Sequence, residues 1–466
     1  MSAPKRLLVP EAERRAAAAA NSNVLSREDA EAIVARAIGF SKAESIRVTI
    51  DSSYQGNARF AANQMTTSGG VVNANVVIES AFGPKHAAVT TNDLSDAALR
   101  RTVEQSEVLA RLAPDDPESM PPLGPQQYAS VQGWFDTTAN LTADDRARAA
   151  LTALGPARDA KDLAAAGYIV TSAQSNAIGN KSGQFAYHRS TTANYTLTVR
   201  TSDGTGSGWA GADDNDWSKV NFAEVSKRAI DKARLSRSPV AIEPGRYTVI
   251  LEPQAVADLV QLLVFYADAR AADEGRSPFV KQGGGNKIGE KLVDSRVTII
   301  SDPTDADLIA QPYDGDGLPL GRQVWFENGV LKQLYYSRFW AQKNNKQPTG
   351  APSSVKMLGG TASLDDMIRA TPRGILVTRL WYLREVDPRT VLYTGLTRDG
   401  TFLVENGKIS KAIRNLRFNE SPLFMLNNLE MLGRPMRVAG TEAGGAVVMP
   451  PLKVRDFTFT SLSEAV

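Results

Sequence analysis

The chain has 466 residues, of which 42% are hydrophobic and 22% are charged, an ordinary composition for a globular protein. Because single hydrophobic cores stop growing at about 250–300 residues, this length predicts two or three domains. The 53 basic and 51 acidic side chains leave a formal charge of only +2, so the composition excludes a strongly basic surface for nucleic acid or anionic membranes.

Thiol and imidazole side chains are scarce. The chain has no cysteine and only two histidines, His86 and His188. Without cysteine there can be no disulfide and no thiolate chemistry, although this does not fix the cellular compartment. Neither histidine has a second histidine or a cysteine at metal-ligand spacing, so each is predicted to be structural.

The N-terminal residues predict neither a membrane span nor a secretion signal. No apolar run approaches the roughly 18 residues that cross a bilayer. Residues 1–23 are basic and contain only Leu7-Leu8-Val9 where a signal peptide would be apolar. We therefore expect a cytoplasmic protein whose residues 1–24 form a flexible arm.

Capping signals and periodicity predict alternating helices and strands in the first half of the chain. Ser26 and Thr142 each precede an acidic residue by three positions, which is typical of a helix start. The predicted helices are 26–38, 95–112, 142–166 and 222–235; the predicted strands are 46–50, 58–63, 70–79, 86–91, 167–174, 183–188 and 193–201, followed by a glycine-rich turn at 203–211.

Two proline-containing segments, 114–125 and 236–245, indicate domain boundaries. They predict an N-terminal domain at 25–113, a central domain at 126–236 and a C-terminal domain at 243–463. The last is β-rich: Asn328-Gly329 and Asn406-Gly407 are hairpin turns between apolar strands. A helix is predicted from Pro422 to Gly433, and a strand at 452–460. The predicted class is α+β, with N-terminal α/β domains followed by a large, antiparallel, barrel-like C-terminal domain.

Three loops carry glycine patterns that also occur in ligand sites. Residues 204–208 (GTGSG) lack the lysine and the following helix of a phosphate-binding loop. Residues 283–286 (GGGN) are typical of a flexible loop. Residues 314–317 (DGDG) begin like a calcium loop but lack its later acidic ligands. Each is therefore interpreted as a turn or loop.

Several motifs resemble the TldD/PmbA (TldE) family in their order and spacing. They are IGEKLVDS at 288–295, VTIISDP at 297–303, the two Glu-Asn-Gly turns at 327–329 and 405–407, and RFAANQ at 59–64. The similarity covers roughly residues 25–462. It implies a metallopeptidase scaffold, in which active TldD-type members carry His-Glu-x-x-x-His on a helix of the third domain and a cysteine near the C-terminus.

The zinc motif of the family is absent from this chain. The corresponding helix is predicted at 253–272, where one alignment places Val260, Gln261 and Phe265 at the motif positions. A shift by one residue gives Gln261, Leu262 and Tyr266. The cysteine would fall in 434–444, which has none. We therefore predict no metal cofactor, and a helix whose residues Val256, Leu259, Val260, Leu263 and Val264 form a buried apolar face.

The resemblance favours one function and leaves two others open. TldE-type members lack the metal motif and pair with a TldD-type catalytic subunit, enclosing a chamber for unfolded peptides. This chain is thus predicted to be a non-catalytic subunit of such a peptidase. The alternatives are a metal-free peptide-binding or structural homodimer, and a hydrolase with an unrecognised site. No nucleic acid or membrane partner is predicted.

Overall fold

The structure is a computed structural model that describes residues 24–352, 354–440 and 446–463. Apart from Val24, the predicted arm at 1–24 lies outside this range. The described chain mixes helices with sheets whose strand pairs are mostly antiparallel, and its second half contains a barrel, which confirms the predicted α+β class.

The first half of the chain forms one six-stranded antiparallel sheet with helices on one face. Its elements are α1 (Arg27–Phe40), β1 (Ser45–Ala61), β2 (Gln64–Phe82), β3 (Lys85–Thr91), α2 (Asp96–Leu112), α3 (Asp136–Ala139), α4 (Ala143–Ala160), β4 (Leu163–Asn180), β5 (Phe185–Thr201), β6 (Ser207–Asp214) and α5 (Phe222–Leu235). The strand order is β3-β2-β1-β4-β5-β6. Since β1 pairs with β4, the predicted N-terminal and central domains share this sheet.

Apolar side chains of alternate strand positions pack under the helices in two clusters. One cluster lies beneath α1 and α2 and includes Ile46, Val48 and Leu99. The other lies beneath α4 and α5 and includes Tyr195 and Leu197. The predicted starts of α1 and α4 are confirmed, because Ser26 and Thr142 both form reciprocal capping boxes.

The strands are longer than the sequence predicts. β1 is one strand where two were predicted, since residues 47–60 pair with β4 throughout. The apolar pattern breaks at Gly56, where an added Cβ would lie 2.4 Å from the buried guanidinium of Arg146. Likewise β5 merges two predicted strands, and residues 207–211 of the predicted turn belong to β6. The helix predicted to reach 166 ends at Ala160, because Lys161 is left-handed and Leu163 pairs with Thr201.

The second half contains a barrel and a small mixed sheet. Its elements are β7 (Gly245–Leu251), α6 (Pro253–Phe265), α7 (Ala269–Asp273), β8 (Ile299–Ser301), β9 (Gln323–Glu327), β10 (Val330–Leu331), α8 (Arg338–Lys343), β11 (Val355–Met357), α9 (Leu364–Arg369), β12 (Arg373–Asp387), β13 (Leu392–Glu405), β14 (Lys408–Ala412), β15 (Leu416–Glu420), α10 (Pro422–Asn427), β16 (Leu429–Leu432), β17 (Met436–Val438), β18 (Val447–Met449) and β19 (Leu452–Leu462). Strands β12, β7, β19, β15 and β13 close into a five-stranded barrel.

The two predicted Asn-Gly hairpins are confirmed. Asn328 and Asn406 have positive φ values, as such turns require, and join β9 to β10 and β13 to β14. The helix predicted to reach Gly433 is wrong in extent. It ends at Asn427, because the next residues form β16 and pair with β19, beginning at Leu429 opposite Val454.

Polar contacts join the first sheet to the C-terminal half. The Gln184 amide donates to the carbonyl of Gly317, and the Arg437 guanidinium pairs with Asp213 at 2.6 Å. On another side, Lys232 of α5 pairs with Glu252 at 2.7 Å, immediately before α6. These contacts hold the first sheet and α5 against the C-terminal half.

Candidate functional site

The helix predicted to correspond to the metal-binding helix of the TldD/PmbA family is α6. Pro253 occupies its first position, where a missing backbone N–H costs no hydrogen bond. Glu252 precedes it and brings a carboxylate to the helix N-terminus, which the helix dipole favours. The predicted apolar face is confirmed: Val256, Leu259, Val260 and Leu263 are fully buried and Val264 is 2% exposed.

The first alignment places its three motif residues on opposite sides of α6. Val260 is fully buried in the C-terminal core, Gln261 is half-buried and Phe265 is 81% exposed. Side chains five positions apart are separated by about 140° around an α-helix. The same angle separates Gln261 from Tyr266 in the second alignment. What distinguishes the first alignment is depth, because Val260 faces the core whereas Phe265 faces solvent.

The second alignment places its residues at a more uniform depth. Gln261, Leu262 and Tyr266 are all half-buried. The Tyr266 hydroxyl lies 3.3 Å from the hydroxyl of Tyr393, on β13. This alignment supplies an amide, an alkyl chain and a phenol.

The predicted helix 253–272 is broken into α6 and α7. Residues 266–268 leave the helix because the chain pairs there with Tyr335. The Ala269 amide donates to the Tyr335 carbonyl at 2.9 Å, and the Tyr335 amide donates to the Ala267 carbonyl at 2.6 Å. Asp268 then caps α7 through the Ala271 amide. The structure thus corrects the predicted end of the helix from 272 to Phe265.

A polar stripe on α6 is a feature that the sequence analysis missed. Gln254, Asp258 and Gln261 are spaced by four and three residues, which places them on one helix face. Gln254 and Asp258 are nonetheless buried, at 8% and 2% exposure. The Gln254 amide nitrogen lies 3.4 Å from a carboxylate oxygen of Asp258, whose other oxygen accepts from the Leu380 amide at 3.4 Å. The spacing itself was the available signal.

The segment expected to carry the family cysteine lies against this stripe. The Gln254 amide donates to the carbonyl of Gly440 at 2.5 Å. Residues 434–440 of the expected segment 434–444 are described and include β17, whereas 441–444 lie outside the described residues. The contact brings the two predicted parts of the degenerate site together, although no residue of 434–444 is a cysteine.

The side chains at this site do not fit zinc. Zinc sites in proteins use imidazole nitrogen, thiolate sulfur and carboxylate oxygen. Either alignment supplies none of these, and Asp258 is the carboxylate on the stripe. Across the part of the chain that the structure describes, no group of three or more His, Cys, Asp and Glu side chains is placed to hold a metal ion. No reaction step of this chain can therefore be derived through a metal.

The two histidines lie on different strands and in different environments. His86, on β3, lines a groove of about 830 Å³ and lies 3.0 Å from a carboxylate oxygen of Asp116. The Glu118 amide and then the His86 ring lower the pKa of Asp116. His188, on β5, is buried, and burial lowers its pKa to about 4. That neither histidine is a metal ligand stays a prediction.

The three glycine-patterned loops are turns. At the start of the loop at 204–208, the Gly204 amide donates a hydrogen bond to the Thr201 carbonyl, and the loop leads into β6. Residues 283–285 all have positive φ values, which glycine adopts readily. At 314–317, an Asp314 carboxylate oxygen accepts from the amides of Asp316 and Leu318, so that carboxylate is used within its own turn.

Comparison with known proteins supports the resemblance independently. Residues 137–237 match the family model of the PmbA/TldA metallopeptidase central domain, and residues 244–461 match that of the PmbA/TldA metallopeptidase C-terminal domain. Together these matches cover well over half of the chain. The chain belongs to the PmbA/TldD metallopeptidase family.

Individual relatives of this PmbA/TldD member are distant. A metalloprotease of Methanothermobacter thermautotrophicus is 27% identical over 240 residues, which are 47% of this chain and 50% of the relative. Metalloprotease PmbA of Escherichia coli O157:H7 is 22% identical over 36% of this chain and 38% of its own length. The aligned part thus spans about half the length of these relatives or less.

The fold of this PmbA/TldD member is shared with TldE of Thermococcus kodakarensis. The crystal structure of that protein superposes with a TM-score of 0.82 at 16% identity, covering 93% of this chain and all of the other. At that identity the comparison establishes the fold alone. Among the described residues, no helix combines the length and the apolarity needed to cross a membrane.

Proposed function

We propose that this chain is a non-catalytic subunit of a TldD/TldE-like peptidase, and that it acts on unfolded peptides together with a TldD-type catalytic subunit. The observation that carries this proposal is α6. This helix has a buried apolar face and begins at a proline in its first position. The positions that hold and use the metal in active members are occupied here by Val260, Gln261 and Phe265, or by Gln261, Leu262 and Tyr266.

The chemistry of these side chains supports a structural role for α6. Val260 belongs to the hydrophobic core of the C-terminal half, where it stabilises the packing of α6. No described residue of α6 carries an imidazole that could accept a proton near neutral pH. Family membership and the TldE-like fold are compatible with a subunit that shapes a chamber without cutting.

The proposal extends to the cofactor, the compartment and the substrate of the complex. The chain itself needs no cofactor, and the metal of the complex belongs to the partner. The complex is cytoplasmic, and its substrate is unfolded peptide. The second candidate is a homodimer of this chain that binds peptides or has a structural role without a metal.

The test compares hydrolysis of an unstructured peptide by this chain alone, by a TldD-type partner alone and by the mixture. We expect cleavage only with the mixture, and loss of cleavage when a chelator removes the partner's metal. A matched control replaces the catalytic glutamate of the partner's His-Glu-x-x-x-His motif, which should abolish cleavage without preventing association. Cleavage by this chain alone that survives the chelator would contradict the proposal and point to an unrecognised hydrolase site.

A further inference from the structure

A cavity of about 470 Å³ lies where four segments of the chain meet, and none of the residues that line it belongs to α6. The segments are the turn at 204–207, the residues after α5 at 236–239, the middle of β13 at 399–401 and the link between β14 and β15 at 413–415. Small-molecule sites in proteins have volumes of about 300–1,000 Å³, so the space suits a small ligand. We call it the seam cavity.

The glycine-patterned turn forms one wall of the seam cavity, but its backbone is already used. The amides of residues 204–207 donate, in order, to oxygen atoms of Thr201, Asp203, Thr201 and Ser236 at 2.8–3.0 Å. A phosphate-binding loop instead points such N–H groups at its ligand. A ligand of the seam cavity must therefore be held by side chains.

Hydroxyl groups of the lining have unused capacity to accept hydrogen bonds. A hydroxyl has one O–H donor and two acceptor lone pairs. The Thr205 hydroxyl donates to Asp203 at 3.0 Å and the Ser207 hydroxyl donates to Asp399 at 2.6 Å. The Ser236 hydroxyl donates to the Ser207 carbonyl at 2.8 Å. Because the donors are used and lone pairs remain, this part of the lining suits a ligand group that donates.

Asp399 adds a buried carboxylate to the same wall. It is 2% exposed and lines the seam cavity. One of its oxygens accepts from Ser207, and the other pairs with the Arg379 guanidinium at 2.8 Å, with Arg398 at 3.8 Å. A carboxylate offers about four acceptor sites, so Asp399 can accept a further bond. An ammonium group is the donor that a carboxylate and hydroxyl oxygens bind best.

Arg414 supplies a positive charge to the seam cavity. Its side chain is exposed, and it forms no ion pair with any residue that the structure describes. Its backbone amide donates to the Val240 carbonyl at 3.0 Å, which fixes its position on the rim. A guanidinium binds a carboxylate through two parallel hydrogen bonds. Since Arg379 already balances Asp399, one positive charge is left, which suits a single carboxylate better than a phosphate dianion.

We propose that the seam cavity binds a small zwitterion, a free α-amino acid or a dipeptide. The carboxylate of the ligand pairs with Arg414, and its ammonium group faces Asp399 and the hydroxyl oxygens of Thr205 and Ser207. Among the described residues that line the cavity there is no aromatic side chain, so a nucleobase would have no ring to stack on.

This site is separate from the proposed peptidase role. Ligand binding is measured on this chain alone, without a TldD-type partner and without cleavage. The seam cavity could therefore fail the test while the mixture still hydrolyses peptide, and the reverse outcome is equally distinguishable.

The first experiment measures binding to the full-length chain by calorimetry and by saturation-transfer NMR. Glycine, L-serine and diglycine are the zwitterions, and their comparison separates an amino acid from a dipeptide. We expect at least one of them to bind with a dissociation constant of about 1 mM or lower. N-acetylglycine lacks the ammonium group and glycinamide lacks the carboxylate. Each should bind about tenfold or more weakly, because a charge-assisted hydrogen bond is lost.

The second experiment changes the two ends of the site. Arg414→Gln should leave the melting temperature unchanged, because the side chain is exposed, and should weaken zwitterion binding by about tenfold or more. Asp399 also pairs with Arg379, so the ammonium end is tested at the exposed Thr205. Thr205→Val keeps the shape of the side chain without its hydroxyl and should also weaken binding. The matched control is Arg322→Gln, an exposed arginine outside the cavity, which should bind like the wild type.

Four results would overturn the proposal. One is that none of the three zwitterions binds at millimolar concentration. Another is that N-acetylglycine or glycinamide binds as tightly as glycine. The third is zwitterion binding that Arg414→Gln leaves unchanged, since the site then lies elsewhere. The fourth is that inorganic phosphate or gluconate binds where the zwitterions do not, since the cavity then takes a simple anion.

Discussion

Two buried titratable residues give the protein opposing responses to pH. Glu420, at the end of β15, is 3% exposed, and its two carboxylate oxygens accept from the amides of Ser421 at 2.9 Å and Thr458 at 3.2 Å. Burial outweighs these bonds and raises its pKa to about 7. His188 is buried without such an opposing effect, and its pKa falls to about 4.

For Glu420 we expect stability to fall as the pH rises. The folded state holds the proton up to about pH 7, whereas the unfolded chain loses it near its ordinary value of 4.5. Between these values the folded state binds more protons, so the free energy of unfolding decreases with pH. At about 1.4 kcal/mol per pKa unit the loss is on the order of 3 kcal/mol. Urea unfolding at several pH values should show that Glu420→Gln removes this decline; parallel curves for variant and wild type would contradict it.

For His188 we expect the opposite slope. The unfolded chain gains a proton near pH 6.5, and the folded chain only near 4. In that window the unfolded state binds more protons, so stability is lost as the pH falls. Replacing His188 by glutamine should make acid unfolding begin at a lower pH, measured by circular dichroism. If the acid midpoint does not move, the ring is solvated in the folded protein.

At the scale of the element, the two faces of α6 should respond differently to truncation. Leu263 is fully buried and Phe265, two residues on, is 81% exposed. Leu263→Ala should lower the free energy of unfolding by about 2–5 kcal/mol through the lost burial and the cavity. Phe265→Ala is the matched control and should change it by less than about 0.5 kcal/mol, as surface substitutions usually do. Equal losses in denaturant titrations would show that Phe265 packs against something outside the chain.

Restoring the zinc motif should fail in a way that depends on the alignment. Val260→His buries an imidazole in an apolar core, which costs about 1–3 kcal/mol without a hydrogen-bond partner. Combined with Gln261→Glu and Phe265→His it should destabilise the protein and bind no zinc. Gln261→His with Leu262→Glu and Tyr266→His should fold better. Elemental analysis should find less than one zinc per chain in both, since the thiolate is missing; tight stoichiometric zinc in either would show that other ligands complete the site.

Local sequence signals predict α6 up to the residues where a distant segment pairs with the chain and ends the helix. Proline at the start and the apolar spacing of Val256, Leu259 and Leu263 were sufficient for the helix and its buried face. Its end could not be predicted, because the helix stops where Tyr335 pairs with Ala267 and Ala269, nearly seventy residues on in the sequence. The same applies to α10, which β19 shortens by pairing with β16.

At the scale of the molecule, the sequence predicted the α+β class and the barrel-like half, whereas the continuity of the first sheet was hidden. Strand patterns report which residues alternate, but not which strand lies beside which. The pairing of β1 with β4 spans the proline-containing segment 114–125, which has the composition of a linker. From the sequence, the site could be predicted only as the absence of the family's metal ligands. The polar stripe of Gln254, Asp258 and Gln261 was not recognised, because the residues around it on α6 are apolar.

The position of β1 in that sheet has a consequence for synthesis. Its register partner on one side, β2, leaves the ribosome almost at once, but the partner on its other side, β4, follows about a hundred residues later. Chains emerge at about 5–20 residues per second, so the edge of β1 that will pair with β4 stays unpaired for several seconds. During that interval the nascent hairpin has two uncovered sides, since β3 shields only part of one. Such an intermediate is a natural client for chaperones, and the cell must protect it before any complex can assemble.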